Sequence, residues 1–401
     1  MEKSIDCSCL QKYEKNTKIS IISYTQKEKQ KDALLKDALE KQGFIVSFAG
    51  DFNGLIKQYF NIWSSFRRYT FLIFLKRTLY FLFVSLFRNK NHSENSLYLL
   101  VNYGENYRWL HEVAQVKLHE KNAIDRLYFF DVKSNRIIKY QKPVLGYMEY
   151  HVTWHCNLKC KGCAHYCNLY DKPYFGNLNQ YRKNLLRLRE LFDNIETIRL
   201  LGGEPFLSPH IGDFVKTTRE IFPNANLWIV SNGLLIPSLN NEILEILRKN
   251  NVKVDITNYP PTAKILNKIQ QILQNAGILF SDSHTINEFR LILGSKKTNQ
   301  GIKTYNYCKE KKCHFLHDDG RLSMCGIPIF YQEAKNKLKT KREVTNNDWI
   351  DLYNVADGYE VLRKLSKPIP FCEYCIDIRK NAYFSWQGNY TKEINENELK
   401  V

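Results

Sequence analysis

W-H-C-N-L-K-C-K-G-C-A-H-Y-C, residues 154–167, places four cysteines and two histidines in fourteen positions. The stretch follows M-E-Y-H-V-T-W, which reads as a strand that delivers Cys156 to its C-terminal end. Working outward, strand-like and helix-like runs alternate: NLLRLRELF (helix), ETIRLLGG (strand), FVKTTREIF (helix), NLWIVSNG (strand), EILEILRKN (helix), VKVDITN (strand) and AKILNKIQQILQ (helix). This is the βα rhythm of a full or partial barrel, whose active sites form on loops at the C-terminal strand ends. The cysteine loop, G-G-E-P (202–205), S-N-G (231–233) and D-I-T-N (255–258) all fall on that one rim.

Cys156, Cys160 and Cys163 have the spacing C-x-x-x-C-x-x-C. Three thiolates on one loop can hold three irons of a cubane and leave the fourth open. A structural zinc needs four ligands, and His155, His165 or Cys167 could supply the fourth, so this stretch alone leaves zinc open. In L-L-G-G-E-P the glycines suit close backbone approach by a ligand, and Glu204 can accept from an ammonium group.

Together these motifs resemble the radical S-adenosylmethionine (radical SAM) superfamily, over roughly residues 146–300. The resemblance implies a [4Fe–4S] cluster on Cys156, Cys160 and Cys163 whose open iron binds SAM. It implies that Gly202, Gly203, Glu204 and Pro205 hold the methionine ammonium, and that Ser231 and Asn232 contact ribose and carboxylate. Asp255, Thr257 and Asn258 would line the SAM or substrate pocket. The implied activity is reductive cleavage of SAM to a 5′-deoxyadenosyl radical that abstracts a substrate hydrogen. One position departs from the family: the residue before the third cysteine, often aromatic, is Gly162, so adenine contacts are expected from elsewhere, such as Tyr166 or His165. Cys167 reads as a small apolar neighbour.

A second cysteine set follows: Cys308, Cys313, Cys325, Cys372 and Cys375. C-H-F-L-H-D-D-G-R-L-S-M-C (313–325) reads as a hairpin turning at Asp319-Gly320, and F-C-E-Y-C (371–375) as a knuckle. Four thiolates of this kind fit structural zinc. Behind a radical SAM barrel they resemble a twitch/SPASM-like extension, which implies one auxiliary [4Fe–4S] cluster. Cys308, Cys325, Cys372 and Cys375 are the preferred ligands, with Cys313 competing for the place of Cys308. Twitch and SPASM enzymes oxidise alcohols or modify peptides, so a small molecule or sugar is expected as substrate, with a peptide as the alternative. The implied reductant is of flavodoxin or ferredoxin type. His151, His284, His314 and His317 are the available acid–base groups, and structural roles are expected for each.

The bulk numbers are those of a globular protein: 401 residues, 44% hydrophobic and 25% charged. Eleven cysteines, with no apolar segment in the opening MEKSIDCSCLQKYEKNTK, favour a cytoplasmic chain whose clustered thiols bind metal. The expected fold class is α/β: a partial (βα)6 TIM-like barrel, preceded by a small parallel-sheet α/β domain and followed by a short cysteine-rich cluster domain. The expected boundaries are a flexible N-terminus over 1–17, the α/β domain over 18–135, a linker over 134–147, the barrel over 146–300, the cluster domain over 301–385 and a tail over 386–401. The net charge of +18 is uneven: from Phe52 to His92 there are seven Lys or Arg and no acidic residue. The apolar run 69–87 is interrupted by Lys76 and Arg77, which argues against a membrane span. Two readings remain there, an interfacial helix on an anionic membrane surface and a helix packed on its own domain. A non-catalytic zinc or nucleic-acid-binding protein would leave G-G-E-P and the barrel rhythm without a purpose, so nucleic acid is not an expected partner.

Overall fold

The computed structural model describes residues 7–12, 18–22, 29–42, 44–48, 97–101, 108–131, 134–170, 172–308, 310–339, 341–378 and 382–393. The basic insert 52–92 therefore lies outside the described residues. The chain divides into two compact units, Met1–Gln141 and Lys142–Val401.

The first unit has strands β1 (Lys18–Ile22), β2 (Ile45–Phe48), β3 (Leu97–Val101), β4 (Leu127–Asp131) and β5 (Arg136–Ile138), with helices α1 (Lys29–Lys41) and α2 (Arg108–Glu120). The sheet order is β2-β1-β3-β4-β5, parallel except for the β4–β5 pair. Two expectations are corrected here. Cys7 and Leu10, from the stretch taken as flexible, are buried in the core with Ile19, Leu35, Leu99 and Ile137, and the Cys9 thiol bonds the Ile137 carbonyl at 3.1 Å. Part of the expected linker is strand: β5 pairs with β4 because Ile137 completes the same apolar face.

In the second unit, β6 (Val144–Leu145) pairs with β8 (Asn194–Ile195), apart from the main sheet. The main sheet has parallel strands β7 (Met148–Thr153), β9 (Thr197–Gly202), β10 (Asn226–Ser231), β11 (Lys253–Asn258) and β12 (Phe280–Thr285). Between them run α3 (Leu178–Leu191), α4 (Ile211–Ile221), α5 (Asn241–Lys249) and α6 (Leu266–Asn275). α3 starts where the Asn177 side chain accepts from Gln180 N–H at 3.1 Å. It then buries Tyr181, Leu185 and Leu188 along one face. Tyr150 of β7 meets that face, 4.3 Å from Tyr181 and 5.6 Å from Phe214 of α4 between ring centroids.

Alternation along the strands sends the neighbours of these residues to the other face. The register aligns Glu149, Arg199, Trp228 and Lys253 in one row. Arg199 and Lys253 lie over the Trp228 ring at 4.8 and 4.0 Å, and Arg199 pairs with Asp255 at 3.4 Å. The face opposite the helices is thus polar, as a reaction chamber requires and an inert core does not.

The sixth parallel strand comes from the region expected to be a separate cluster domain. β13 (Glu288–Arg290) and α7 (Gly301–Tyr307) lead to β14 (Phe315–Leu316), which pairs parallel to β7. β14 turns through Gly320 (φ +87°) into β15 (Arg321–Ser323), followed by α8 (Ile327–Ala334), β16 (Ile350–Asp351), α9 (Gly358–Leu365) and β17 (Tyr383–Ser385). The sheet order is therefore β12-β11-β10-β9-β7-β14-β15-β16. The expected boundary at 300/301 is corrected: the hairpin extends the barrel sheet because β7 offers β14 an unpaired edge, and Phe315 and Leu316 are buried there.

Candidate active site

The cysteine loop leaves β7 and curls through three residues with positive φ: Lys159 (45°), Gly162 (67°) and Tyr166 (55°). Each of its three motif thiols has donors. Leu158 N–H points at the Cys156 sulfur at 3.5 Å, and the Trp386 indole N–H at the Cys160 sulfur at 3.1 Å. Cys163 accepts from the Cys167 thiol and from the N–H groups of Cys167, His165 and Asn168. Its pKa is held down at about 7, chiefly by the Cys167 thiol, against the opposing effect of burial. Burial pushes Cys156 and Cys160 up to about 12; Cys163 raises both further, and Cys156 also raises Cys160. Cys167 is thus more than an apolar filler.

This donor set suits an iron–sulfur cluster, whose thiolates are stabilised by N–H donors to sulfur. A single zinc ion needs ligands converged on one point.

The second rim docks on this loop. Gly203 N–H donates to the Thr153 carbonyl and Glu204 N–H to the His155 carbonyl, both at 2.9 Å. A Cβ on Gly202 would stand 2.0 Å from Thr153 O, and one on Gly203 2.1 Å from His155 O. The glycines are therefore needed for backbone-to-backbone contact between two rims. Glu204 is fully buried and accepts from Ser231 Oγ and Asn232 N–H, both at 2.8 Å, and from Phe206 N–H at 3.2 Å. Burial outweighs those bonds and raises its pKa to about 7. A carboxylate offers about four acceptor positions, so three protein donors leave room for roughly one more. Pro205 opens the short turn that Glu204 caps.

The third rim is tied in as well. Asn232 Nδ2 donates to Asn157 Oδ1 at 2.7 Å, and Thr262 Oγ1 to the Asn232 carbonyl at 2.6 Å. On β11, Asp255 is buried, paired with Arg199 and accepting from Ser281 Oγ at 2.5 Å. The Thr257 carbonyl accepts from Tyr259 N–H at 3.0 Å, and Asn258 donates to Thr285 Oγ1 at 3.4 Å. Tyr259, which sequence reasoning missed, lies close enough to all three motif thiols for them to raise its pKa further, beyond the effect of burial.

The histidines are structural in setting. His151 Nε2 faces His165 Nδ1 at 3.0 Å, and burial pushes both rings down, His165 to about 4. His165, His151 and Phe330 pack against one another in a mutual cluster, and the half-buried Tyr166 lies near Tyr331. His314 bonds the Met324 carbonyl, and His317 sits with Asp319 and Glu333. The His284 side chain lies outside the described residues.

In the second set, Cys308 caps α7, Cys325 follows β15, and Cys372 and Cys375 sit on the turn Pro370–Tyr374 and at its end. Burial raises all of these whose shift is resolved; Cys308 and Cys375 raise Cys325 further, and Cys372 and Cys308 raise Cys375. Burial also raises Cys313, with Glu149, Glu310 and Cys308 raising it further and Arg199 opposing them. A small cavity of about 50 Å³ opens beside the loop of Cys163. Gly162 and Cys163 line one side, Leu291 and Leu293 of the segment bridged to Cys375 the other, and Arg290, Arg342 and Lys392 supply positive charge.

Residues 150–277 match the family model of the radical SAM superfamily. The chain carries a radical SAM domain. It is an enzyme of that class, and the cofactors of the radical SAM domain are a [4Fe–4S] cluster and S-adenosylmethionine. Similar proteins include a GTP 3′,8-cyclase of Campylobacter jejuni subsp. doylei, 23% identical over 288 residues, covering 64% of this chain and 86% of the relative. A GTP 3′,8-cyclase of Sulfurimonas denitrificans is 29% identical over 295 residues, with coverage of 64% and 86%. Among solved structures, anSMEcpe with bound AdoMet matches at 12% identity and a TM-score of 0.35, covering 56% of this chain and 84% of that one. BtrN in complex with AdoMet and 2-DOIA matches at 16% identity and 0.34, covering 59% and 95%. Among the described residues, no helix is long and apolar enough to cross a membrane.

Proposed function

We propose that this radical SAM enzyme abstracts hydrogen from a small, phosphate-bearing molecule of the nucleotide kind, held between its two cysteine sets. The cavity carries the reading: Arg342 is paired there with Glu393, which leaves Arg290 and Lys392 as the cations that suit an anionic ligand, and one wall belongs to the loop of Cys163. The named activity of the relatives, GTP 3′,8-cyclase, supports the same substrate class. In this reading Cys156, Cys160 and Cys163 hold the SAM cluster, and Cys308, Cys325, Cys372 and Cys375 hold an auxiliary four-iron cluster, with Cys313 left to the Glu149–Arg199 region. When bound and reduced, the cluster supplies a 5′-deoxyadenosyl radical from SAM.

The chain's own residues position the rest. Glu204 joins the second and third rims and keeps one acceptor position for a ligand N–H. Gly202 and Gly203 keep the rims in contact, and Arg290 and Lys392 orient phosphate oxygens. The buried aromatics around His151 and Trp154 limit water near the loop. A low-molecular-weight reductant or a flavodoxin- or ferredoxin-type protein supplies the electron.

Anaerobic reconstitution tests this. About eight irons per chain are expected for two four-iron clusters. Release of 5′-deoxyadenosine should rise with GTP and fall in Arg290→Ala and Lys392→Ala. Stimulation by peptides but by no nucleotide would overturn the substrate reading.

A further inference from the structure

Residues 382–393 (A-Y-F-S-W-Q-G-N-Y-T-K-E) are docked along the cysteine loop, although the end of the chain from 386 reads in sequence as a tail. β17 pairs antiparallel with β13, and Trp386 N–H continues that ladder to the Asn287 carbonyl at 2.8 Å. Beyond it, Lys161 N–H donates to Gln387 O at 2.7 Å, Asn389 N–H to Leu158 O at 2.9 Å and Tyr390 N–H to Lys159 O at 2.8 Å. Asn168 Nδ2 holds the Tyr390 and Lys392 carbonyls, and Glu393 pairs with the buried Arg342 at 3.7 Å. The segment therefore bonds the backbone of the residues between the first and third motif cysteines.

Two side chains complete the fit. Phe384 sits on Gly162: a Cβ there would meet its Cζ at 2.3 Å. Trp386 aims its indole N–H at the Cys160 sulfur from 3.1 Å, with its ring near Tyr259 at 6.2 Å. Gly162 is the position where the family often places an aromatic. Here the aromatic surface arrives from the far end of the chain, and Gly162 is the space that admits it.

We propose that Trp386 is a positioning residue of the SAM cluster: its N–H donates to the Cys160 thiolate and tunes the cluster's reduction potential, while Phe384 on Gly162 shields the loop from solvent. This rests on Cys156, Cys160 and Cys163 being the cluster ligands. A donor to a ligand sulfur stabilises the reduced, more negative state most, and so raises the potential.

The test is redox titration of the anaerobically reconstituted full chain, followed by EPR. Trp386→Phe keeps the ring and removes the donor. Its midpoint should fall by about a tenfold change in the reduction equilibrium, ~59 mV for one electron. In wild type made with 15N-tryptophan, the reduced cluster should show a 15N hyperfine coupling that Trp386→Phe abolishes, a readout that also stands if the variant folds poorly. An unshifted midpoint, or no 15N coupling, overturns this proposal and leaves the ligand assignment intact. A cluster that builds equally well without Cys160 overturns the ligand assignment and this proposal together.

Discussion

Gly203→Ala puts a methyl group into a backbone contact. Its Cβ would lie 2.1 Å from His155 O, 2.4 Å from His155 C and 2.9 Å from Cys156 N, all backbone atoms that no rotamer change can move. To reach ordinary contact at 3.4 Å from the 2.1 Å approach, the rim must retreat by more than 1 Å, which breaks Gly203 N–H···O Thr153 and Glu204 N–H···O His155. Two lost bonds at about 1 kcal/mol each, plus about 1–3 kcal/mol of overpacking, give roughly 3–5 kcal/mol. For a unit of this size each kcal/mol shifts Tm by about 2–4 °C, so the apo variant should melt roughly 6–20 °C below wild type. Calorimetry of the apo chain measures this without any cofactor, and iron content after reconstitution should fall in parallel. A Tm within about 1 °C of wild type, with full iron loading, would falsify the view that the glycine pair serves rim-to-rim packing.

Cys167→Ala removes the leading influence that lowers the Cys163 pKa, so in the apo chain the onset of Cys163 alkylation should move from about pH 7 to higher pH; an unchanged profile would show that the thiol pair does not form. Glu204 keeps its proton to about pH 7 when folded and loses it near 4.5 when unfolded, so the unfolded chain binds fewer protons in that window and stability falls as pH rises through it. Denaturant titrations should show this slope in wild type and not in Glu204→Gln, and parallel curves would refute it. Arg199→Met strands the buried Asp255 carboxylate and should cost about 3–5 kcal/mol, whereas Arg199→Met/Asp255→Leu should recover most of the loss. A double variant no more stable than the single one counts against a coupled pair.

The parts of the fold legible in sequence are those whose signal is local. The apolar spacing of 178–191 announces a helix because Tyr181, Leu185 and Leu188 share one face. The strands of the barrel are short apolar runs bounded by turns, and the cysteine spacing and G-G-E-P mark the rim. The hairpin of Phe315–Leu316 is legible in its Asp319-Gly320 turn, but its pairing with β7 is not, since the two meet only once the chain between has folded. The cysteine loop and the G-G-E-P rim were legible in sequence, and the residues that support them were not. Nothing near Trp386 or Tyr259 in sequence points to cysteines more than ninety residues away.

The sequence by itself determined the βα order and the three-thiol loop, because periodicity and motif spacing are properties of neighbouring residues; the chemistry of those thiols came from the family resemblance. Tertiary structure alone decided the remaining features. These are the joining of the second cysteine region to the barrel edge, the backbone contact that demands Gly202 and Gly203, and the aromatic cover brought to Gly162 by Phe384. Each depends on which distant segments meet at a few ångströms, and a linear pattern carries no record of that distance.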